Sequence, residues 1–510
     1  MGHHRSQAAV NTIIRPNLKT CLPWLILLFT FALASCQPSV PPAPRNLVVI
    51  CIDTVRFDSF FHSGISDEFS PWIERAQVYE NAQAPAPWTI PSVASFLTGQ
   101  YPIEHGAGRF EEEIANLDTD LPRPLVDEAL TLPEILEQHY FRTGAFVSHP
   151  FFQADLGLKQ GFQVVHNRRG WWRDVDRFWE WADQVKPPHR FFAYLHFMEA
   201  HHRHTRDEEE MSAVLEEYDA PTRKSLADRA QPAACSEADS RRCLQNTVYN
   251  ASILELRKAI ATVLHDLEER SLIGETLVVL YSDHGEEFWD HEAEQSLIRE
   301  DPRETFGFGH GQSLYQELIH VPLMIWHPGM RGEDHPELVS LVDVLPSLVA
   351  WLELENVELM ASGKLLPPLR ESLFSFSKDR QVWSSGIAYG LEKIASRSNN
   401  IKSIFSMSKD RFEFYDLKSD PFEKNPVDDD SLIMAFDTLT GDYLEMEGRN
   451  EYSSDTLNAS QIESDQLDDL KAIGYLQGVE TESKPDEEPP VQSKNPQGDA
   501  AGEEKEKHQP

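Results

Sequence analysis

The stretch Asn46-Leu-Val-Val-Ile-Cys-Ile-Asp-Thr54 decides the fold class. Apolar residues run without interruption from Leu47 to Ile52. A strand wetted on one face would alternate polar and apolar, so this run describes a strand buried on both faces, as in a parallel sheet. Asp53-Thr54 then puts polar groups at its carboxyl end. Leu277-Val-Val-Leu-Tyr-Ser282, ending in Asp283-His284-Gly285, repeats the form, and Phe191-Phe-Ala-Tyr-Leu-His196 is a third example. Helical periodicity lies between them, as in Ser252 to Leu272 with apolar Ile253, Leu256, Ile260, Val263, Leu264 and Leu267. Strands alternating with helices predict an α/β domain built on a mostly parallel sheet flanked by helices. Ligands of such sheets bind beyond the carboxyl ends of the strands, where Asp53, Asp283 and His284 stand.

Past residue 360 the texture changes. Val382-Trp383 and Phe412 to Leu417 read as short antiparallel strands, predicting a smaller C-terminal α+β subdomain. The expected organisation is a main domain over 46–360, the subdomain over 361–476, ending in a short helix or turn at Leu467 to Leu476, and an acidic tail over 477–510. That tail has too few large apolar residues to offset the entropy of folding.

Residues 1–50 contain no Asp or Glu, and Arg5, Arg15 and Lys19 precede the apolar run Leu22 to Ala34. The run is shorter than the ~20 residues of a membrane-spanning helix and reads as a signal-peptide core over 1–35. Leu33-Ala34-Ser35-Cys36 resembles the bacterial lipobox, in which the cysteine is lipidated and becomes the mature N-terminus; the alternative is an ordinary secretory signal with an incidental Cys36. Residues 36–45 form a proline-stiffened tether. Position 37 is Gln, and by resemblance to sorted lipoproteins this favours the outer over the inner membrane of a bacterial envelope. The expected topology is a lipid-anchored protein with its active-site domain outside the cytoplasm.

The chain carries 46 Lys+Arg against 84 Asp+Glu, a net charge of −38. Nucleic acid is excluded as a partner, because its binding depends on neutralising phosphates. An anionic small substrate stays open, since a bound metal ion inverts the local field. Of the five cysteines, Cys51 belongs to the first strand, and Cys235 and Cys243 lie in a polar stretch where an oxidising compartment permits a short-loop disulfide.

Chemistry concentrates in four segments. In Ala86-Pro-Trp-Thr-Ile-Pro-Ser-Val-Ala-Ser-Phe-Leu-Thr-Gly99, Thr89 stands just before a helix opened by Pro91. A hydroxyl there faces unpaired N–H groups and the positive end of the helix dipole, which favour an alkoxide and an anionic ester. The plainer alternative is a helix cap worth about 1 kcal/mol. Asp283-His284-Gly285-Glu286 offers adjacent oxygen and nitrogen ligands. With Asp53 and Thr89 they form a hard-to-borderline set suited to a divalent ion, Zn, Ca, Mn or Mg. His310 lies between two glycines, and His196-Phe-Met-Glu-Ala-His201-His202-Arg203-His204 is dense in histidine after a strand end.

Over Arg45 to Leu476 the chain resembles the sulfatase family of the alkaline phosphatase superfamily. The resemblance rests on Asn46 to Arg56, Ala86 to Gly99, Ser282 to Glu286, His310 to Tyr315, Tyr415 to Pro421 and Leu470 to Tyr475. It implies metal ligands at Asp53, Asp283 and His284, the nucleophile at Thr89, and roles for His201 and His310 in contacting substrate, protonating the leaving group or binding a second metal. Glu199 stands where many relatives have Asp, and Thr54 where many arylsulfatases have a second Asp ligand. Sulfatases that use formylglycine have Cys or Ser followed by x-Pro-x-Arg; here the positions read Thr89-Ile-Pro-Ser-Val93, so that cofactor cannot form. Threonine resembles instead the branch that transfers phosphoethanolamine or phosphoglycerol, although those enzymes carry several transmembrane helices. The expected function is a metal-dependent hydrolase of sulfuric or phosphoric esters, on a sulfated or phosphorylated glycan, lipid or small molecule. The alternatives are a transferase acting on envelope lipids or glycans, and a non-catalytic glycan-binding lipoprotein.

Overall fold

The centre of the molecule is β1 (Asn46–Ile52), buried at every residue. Leu47, Val49 and Cys51 enter the hydrophobic layer on one side of the sheet, and Val48, Ile50 and Ile52 the layer on the other. Each of the larger side chains gains roughly 1.5–3 kcal/mol from that burial. This two-sided packing is the physical reason for the unbroken apolar run.

The computed structural model describes residues 43–447, apart from 62–65, 109–121, 154–155, 168–169, 231–234, 236–239, 299–300, 302, 304–305 and 370–379. The leader with Cys36, most of the tether, the Leu467 to Leu476 segment and the acidic tail lie outside the described residues.

After β1 come β2 (Gln77–Gln83), β3 (Phe141–Val147), β4 (Val164–Asn167), β5 (Arg190–Phe197), β6 (Thr276–Tyr281), β7 (Glu287–Phe288), β8 (Phe308–Gly309), β9 (Leu323–Trp326) and β10 (Glu333–Ser340). Eight of these form one sheet in the order β10-β2-β9-β6-β1-β5-β3-β4. Every pairing in it is parallel except those of β9, which runs antiparallel to both neighbours. The helix Thr89–Thr98 lies in one hydrophobic layer; the helices Trp171–Ala182 and Ser240–Glu269 lie in the other. The parallel α/β architecture expected from the sequence is the one observed.

The periodicity placed the start of the long helix at Ser252, but it begins at Ser240. Its first turns bury Val248 and Ala251 against Met211, Val214 and Leu226, which belong to two short preceding helices. This separate small core carries its own apolar face, which a single periodic pattern does not reveal. Cys243 therefore sits in the helix rather than in a loop, and its sulfur lies 1.98 Å from that of Cys235, with Cα atoms 4.4 Å apart.

A separate antiparallel sheet follows at the C-terminus, β11 (Gln381–Ser384), β12 (Lys393–Ser398), β13 (Ile401–Ser406) and β14 (Arg411–Asp416), in sequential order, with the helix Ser431–Leu444 against it. Its connecting segment grips two loops of the main domain. Ser384 Oγ donates to Ala84 O, Trp88 Nε1 donates to Gly386 O, and the Ala388 and Tyr389 amides both donate to Gly311 O. The loops on either side of the strand ends, one leading to Thr89 and one leaving His310, are thus held from the same side.

Candidate active site

At the carboxyl end of β1 the chain turns sharply. Thr54 has φ +59°, a left-handed conformation that strains a β-branched residue. The turn is secured from several directions: Thr54 Oγ1 donates to Asp53 O (2.7 Å), Val55 N donates to Ser282 Oγ (2.8 Å), and Tyr249 OH donates to Thr54 O (2.7 Å). Ser282 Oγ in turn donates to His284 O (2.7 Å), tying the β1 turn to the β6 turn. Gly285 has no alternative, because a Cβ there would stand 1.9 Å from Glu317 O. The Thr54 hydroxyl is engaged with its own neighbour and adds nothing to the ligand set.

These turns bring Asp53, Asp283 and His284 together, with ligand-capable atoms all within 4.8 Å of one another and every side chain buried. Asp283 Oδ1 accepts the His284 amide (2.9 Å) and, at 3.4 Å, the Thr54 amide. His284 Nδ1 donates to Gly285 O (2.9 Å), so its Nε2 carries a lone pair. That Nε2 faces Asp283 Oδ2 at 3.6 Å and Asp53 Oδ1 at 3.8 Å. Neither carboxylate oxygen has a hydrogen-bond partner among the described residues. Three buried acceptors converging with no positive partner are unfavourable, and burial, followed by the charge of Asp283, pushes the Asp53 pKa well above the usual carboxylate range. A divalent cation is what such a set accommodates; two carboxylate oxygens and one imidazole nitrogen fit a hard or borderline ion.

Thr89 completes the cluster. The helix opens at Thr89 itself, with Trp88 at the cap position in extended conformation. Thr89 thus falls in the first helical turn, not before it as the sequence predicted, because Pro91 fits the third helical position as well as the first. Its Oγ1 makes no cap and lies 3.3 Å from His284 Nε2. Ser92 Oγ donates to Asp283 O (2.6 Å), pinning this helix to the ligand turn. Val93 is packed in the core, so the arginine position of the formylglycine motif offers no charge.

A second group of residues lines the rim. The His310 ring lies 4.6 Å from that of His284 and 5.0 Å from that of His201. His310 Nδ1 is 3.2 Å from Glu286 Oε1, and His204 Nε2 is 3.7 Å from Glu286 Oε2. Burial pushes Glu286 up to about 7 and His310 down to about 3, where Arg303 adds to the effect. Arg303 donates to Asp301 Oδ2 (2.8 Å) and to His310 O (3.4 Å), and stacks over Tyr389. Glu199 does not join the ligand cluster; its Oε1 accepts the Trp171 amide (3.0 Å).

Residues 45–354 match the family model described as sulfatase. The chain belongs to the sulfatase family. It is 24% identical over 396 residues to the ulvan-active sulfatase of Formosa agariphila, covering 68% of each chain. It spans between 20% and 53% of the length of three other curated relatives. Among solved structures, one in complex with its substrate D-glucosamine-2-N,6-O-disulfate superimposes with a TM-score of 0.59 at 16% identity, covering 80% of this chain and 98% of that one. The phosphonate monoester hydrolase of Silicibacter pomeroyi gives a TM-score of 0.57 at 15% identity, covering 79% and 95%. These likenesses establish the shared fold.

Within this sulfatase-family site, two side chains escaped the sequence reading. His149 follows β3 and places Nε2 3.4 Å from Asp53 Oδ2, and His196, read only as part of a histidine-rich run, places Nε2 3.0 Å from the same oxygen. Their one signal was position, since each lies at or just beyond the carboxyl end of a strand adjacent to β1 or β5. Arg303 gave no signal, lying in an ordinary polar stretch.

Proposed function

We propose that this sulfatase-family protein is a metal-dependent hydrolase of sulfuric or phosphoric esters with Thr89 as its nucleophile. The observation that carries the reading is the convergence of Asp53 Oδ1, Asp283 Oδ2, His284 Nε2 and Thr89 Oγ1 at the strand ends, with two buried carboxylate oxygens that have no hydrogen-bond partner among the described residues. A divalent cation held by these residues supplies charge neutralisation and Lewis-acid polarisation of the ester. Thr89 Oγ1, its proton released to water, attacks the phosphorus or sulfur in line, and the bond to the leaving oxygen breaks. His310 passes a proton from Nε2 to that oxygen and recovers one at Nδ1 from the Glu286 carboxyl. Water then cleaves the Thr89 ester at phosphorus or sulfur, releasing the inorganic anion and restoring the hydroxyl.

This last step favours phosphoric over sulfuric esters. A threonine ester must be cleaved at the central atom, and a divalent cation held by Asp53, Asp283 and His284 would neutralise more charge on a phosphoryl than on a sulfuryl group there. Transfer to a lipid or glycan hydroxyl in place of water uses the same first step. The basic leader, the apolar run and the Leu33 to Cys36 motif support a lipid-anchored protein of the bacterial envelope, and no described helix is long and apolar enough to cross a membrane.

Two measurements test this. Turnover of an aryl sulfate, a phosphate monoester and a phosphodiester by one purified sample, with and without added Mn²⁺ or Zn²⁺, is expected to show metal-dependent hydrolysis that Thr89→Ala abolishes. Mass spectrometry of quenched wild type should find one phosphoryl or sulfuryl group on the Thr89 peptide. Full activity of Thr89→Ala overturns the nucleophile. Cys36→Ala should release the protein from the membrane fraction with its activity intact; retention of the same lipid label refutes the anchor.

A further inference from the structure

The geometry points to His196 as a positioning residue of the metal centre: its Nε2–H donates to Asp53 Oδ2, with the His149 ring set against the same oxygen, so that Oδ1 is left as the ligand. The inference rests on the metal-dependent reading above. His196 Nε2 lies 3.0 Å and His149 Nε2 3.4 Å from Asp53 Oδ2. All three side chains are fully buried.

The tautomers follow from the neighbours. His149 Nδ1 accepts the Phe151 amide (3.1 Å), so its proton sits on Nε2, toward Asp53. A carboxylate oxygen only accepts, so His196 also donates from Nε2. Its Nδ1 is then an acceptor, and Tyr194 OH stands 3.5 Å from it and 2.9 Å from Tyr281 OH. Both imidazoles are therefore oriented by their far nitrogen, an arrangement that fixes ligand geometry from one shell out.

The sheet supplies this arrangement directly. Asp53, His196 and His149 leave the ends of β1, β5 and β3, three neighbours in the parallel sheet. His196 pairs in register with Cys51 on one side and Val147 on the other, so each polar residue stands within two positions of a common level. Rotating Asp53 to chelate through both oxygens would break the hydrogen bond from His196 to Oδ2. Thr54, in the position where many arylsulfatases place a second carboxylate, donates its hydroxyl to Asp53 O and stays out of the ligand set. The His196 donor on Asp53 thus does the orienting that an added ligand would otherwise share, while leaving the centre one negative charge lighter.

The test is the affinity of the metal-free full chain for Mn²⁺, measured by calorimetry and by the manganese electron paramagnetic resonance signal. His196→Phe keeps the ring volume and loses the donor; His196→Asn shortens the side chain but retains an N–H. Mn²⁺ binding should weaken by about 10–100-fold in His196→Phe and by clearly less in His196→Asn. Far-UV circular dichroism confirms folding, and His196→Leu provides the same loss of the donor if His196→Phe does not fold. Wild-type affinity in the folded variant that lacks the donor, or a loss in it equal to that in His196→Asn, overturns the inference. A wild type that binds no divalent cation overturns the metal-dependent reading and, with it, this inference.

Discussion

Two buried clusters of charge lie side by side in this molecule, and they are built on opposite principles. In one, Asp53 and Asp283 face each other across a gap, an oxygen of each having no hydrogen-bond partner among the described residues. In the other, below the His310 loop, each acidic group is engaged. Glu287 accepts from the His291 amide, Gln295 and Gln312; His291 Nδ1 meets Glu317 at 2.6 Å and its Nε2 meets Glu423 O at 3.1 Å; Arg56 forks onto Asp58 and reaches Asp290. Glu287, His291 and Glu317 are close enough to hold an ion, yet hydrogen bonds within the chain already occupy them. Burial alone would lower the His291 pKa, but Glu317 raises it to about 9. A fold this size carries many buried charges; the informative ones are those it leaves unbalanced.

The largest expected effect comes from breaking the unbalanced cluster. Asp283→Asn should lower turnover by at least about 10³-fold, because it removes one of the ligands proposed for the metal. Its effect on the metal-free fold should have the opposite sign. Burial and then Asp283 hold the Asp53 pKa above its unfolded value, so the folded state binds more protons than the unfolded chain. Metal-free stability therefore falls as pH rises through the usual carboxylate range toward the raised pKa. Asp283→Asn removes the repulsion, and its metal-free melting temperature should exceed that of wild type at neutral pH. A lower melting temperature there would show that the two carboxylates are not in conflict.

An intermediate effect sharpens the comparison at the rim. Glu286 and His310 form a pair in which burial holds the carboxyl pKa at about 7 and the imidazole at about 3. Below pH 7 the pair keeps its proton on Glu286, and as pH rises through about 7 that proton is lost. Hydrolysis of an alkyl ester, whose leaving oxygen needs a proton, should fall over that interval. Glu286→Gln should lower the rate by about 10²-fold and flatten the fall near pH 7. For a nitrophenyl ester, whose leaving group departs as the anion, the loss should be much smaller. Equal losses on both substrates would remove His310 and Glu286 from the proton path.

The contrast also explains what the sequence could and could not show. Asp53, Thr89, Asp283 and His284 were legible because each adjoins an element with a strong local signature, a doubly buried strand or a proline-opened helix. The buried stretches of β1, β5 and β6 were legible for the same reason. His149 was not, since β3 contains an arginine and a glycine that dilute its pattern. β9 is only four residues long, and nothing local distinguishes its antiparallel direction from that of its neighbours. Pairing between distant residues is the least readable property, because Glu286 with His310 and Lys402 with Glu423 are matched only by the tertiary fold.

That last pair gives the smallest expected effect on catalysis and a clear effect on stability. Lys402, on β13, places Nζ 2.6 Å from Glu423 Oε1 and donates to Leu314 O at 2.6 Å; Glu423 Oε2 accepts the Gln316 amide at 2.6 Å. Both side chains are buried, and they join the C-terminal sheet to the main-domain segment that follows His310. Burial lowers the Lys402 pKa and raises that of Glu423, so each depends on the other to stay charged. Lys402→Met leaves Glu423 buried without its counter-charge and should cost about 3–5 kcal/mol. Lys402→Met with Glu423→Leu should recover much of that, since a buried pair and a well-packed apolar pair are often equivalent in stability. Turnover per folded molecule should change little in either variant, because the pair touches neither Thr89 nor the ligand turns. Denaturant unfolding checks the first expectation and active-site titration the second. A large loss of turnover in a fully folded Lys402→Met protein would mean that the balanced cluster governs the site as well as the fold, and the distinction between the two clusters would fail.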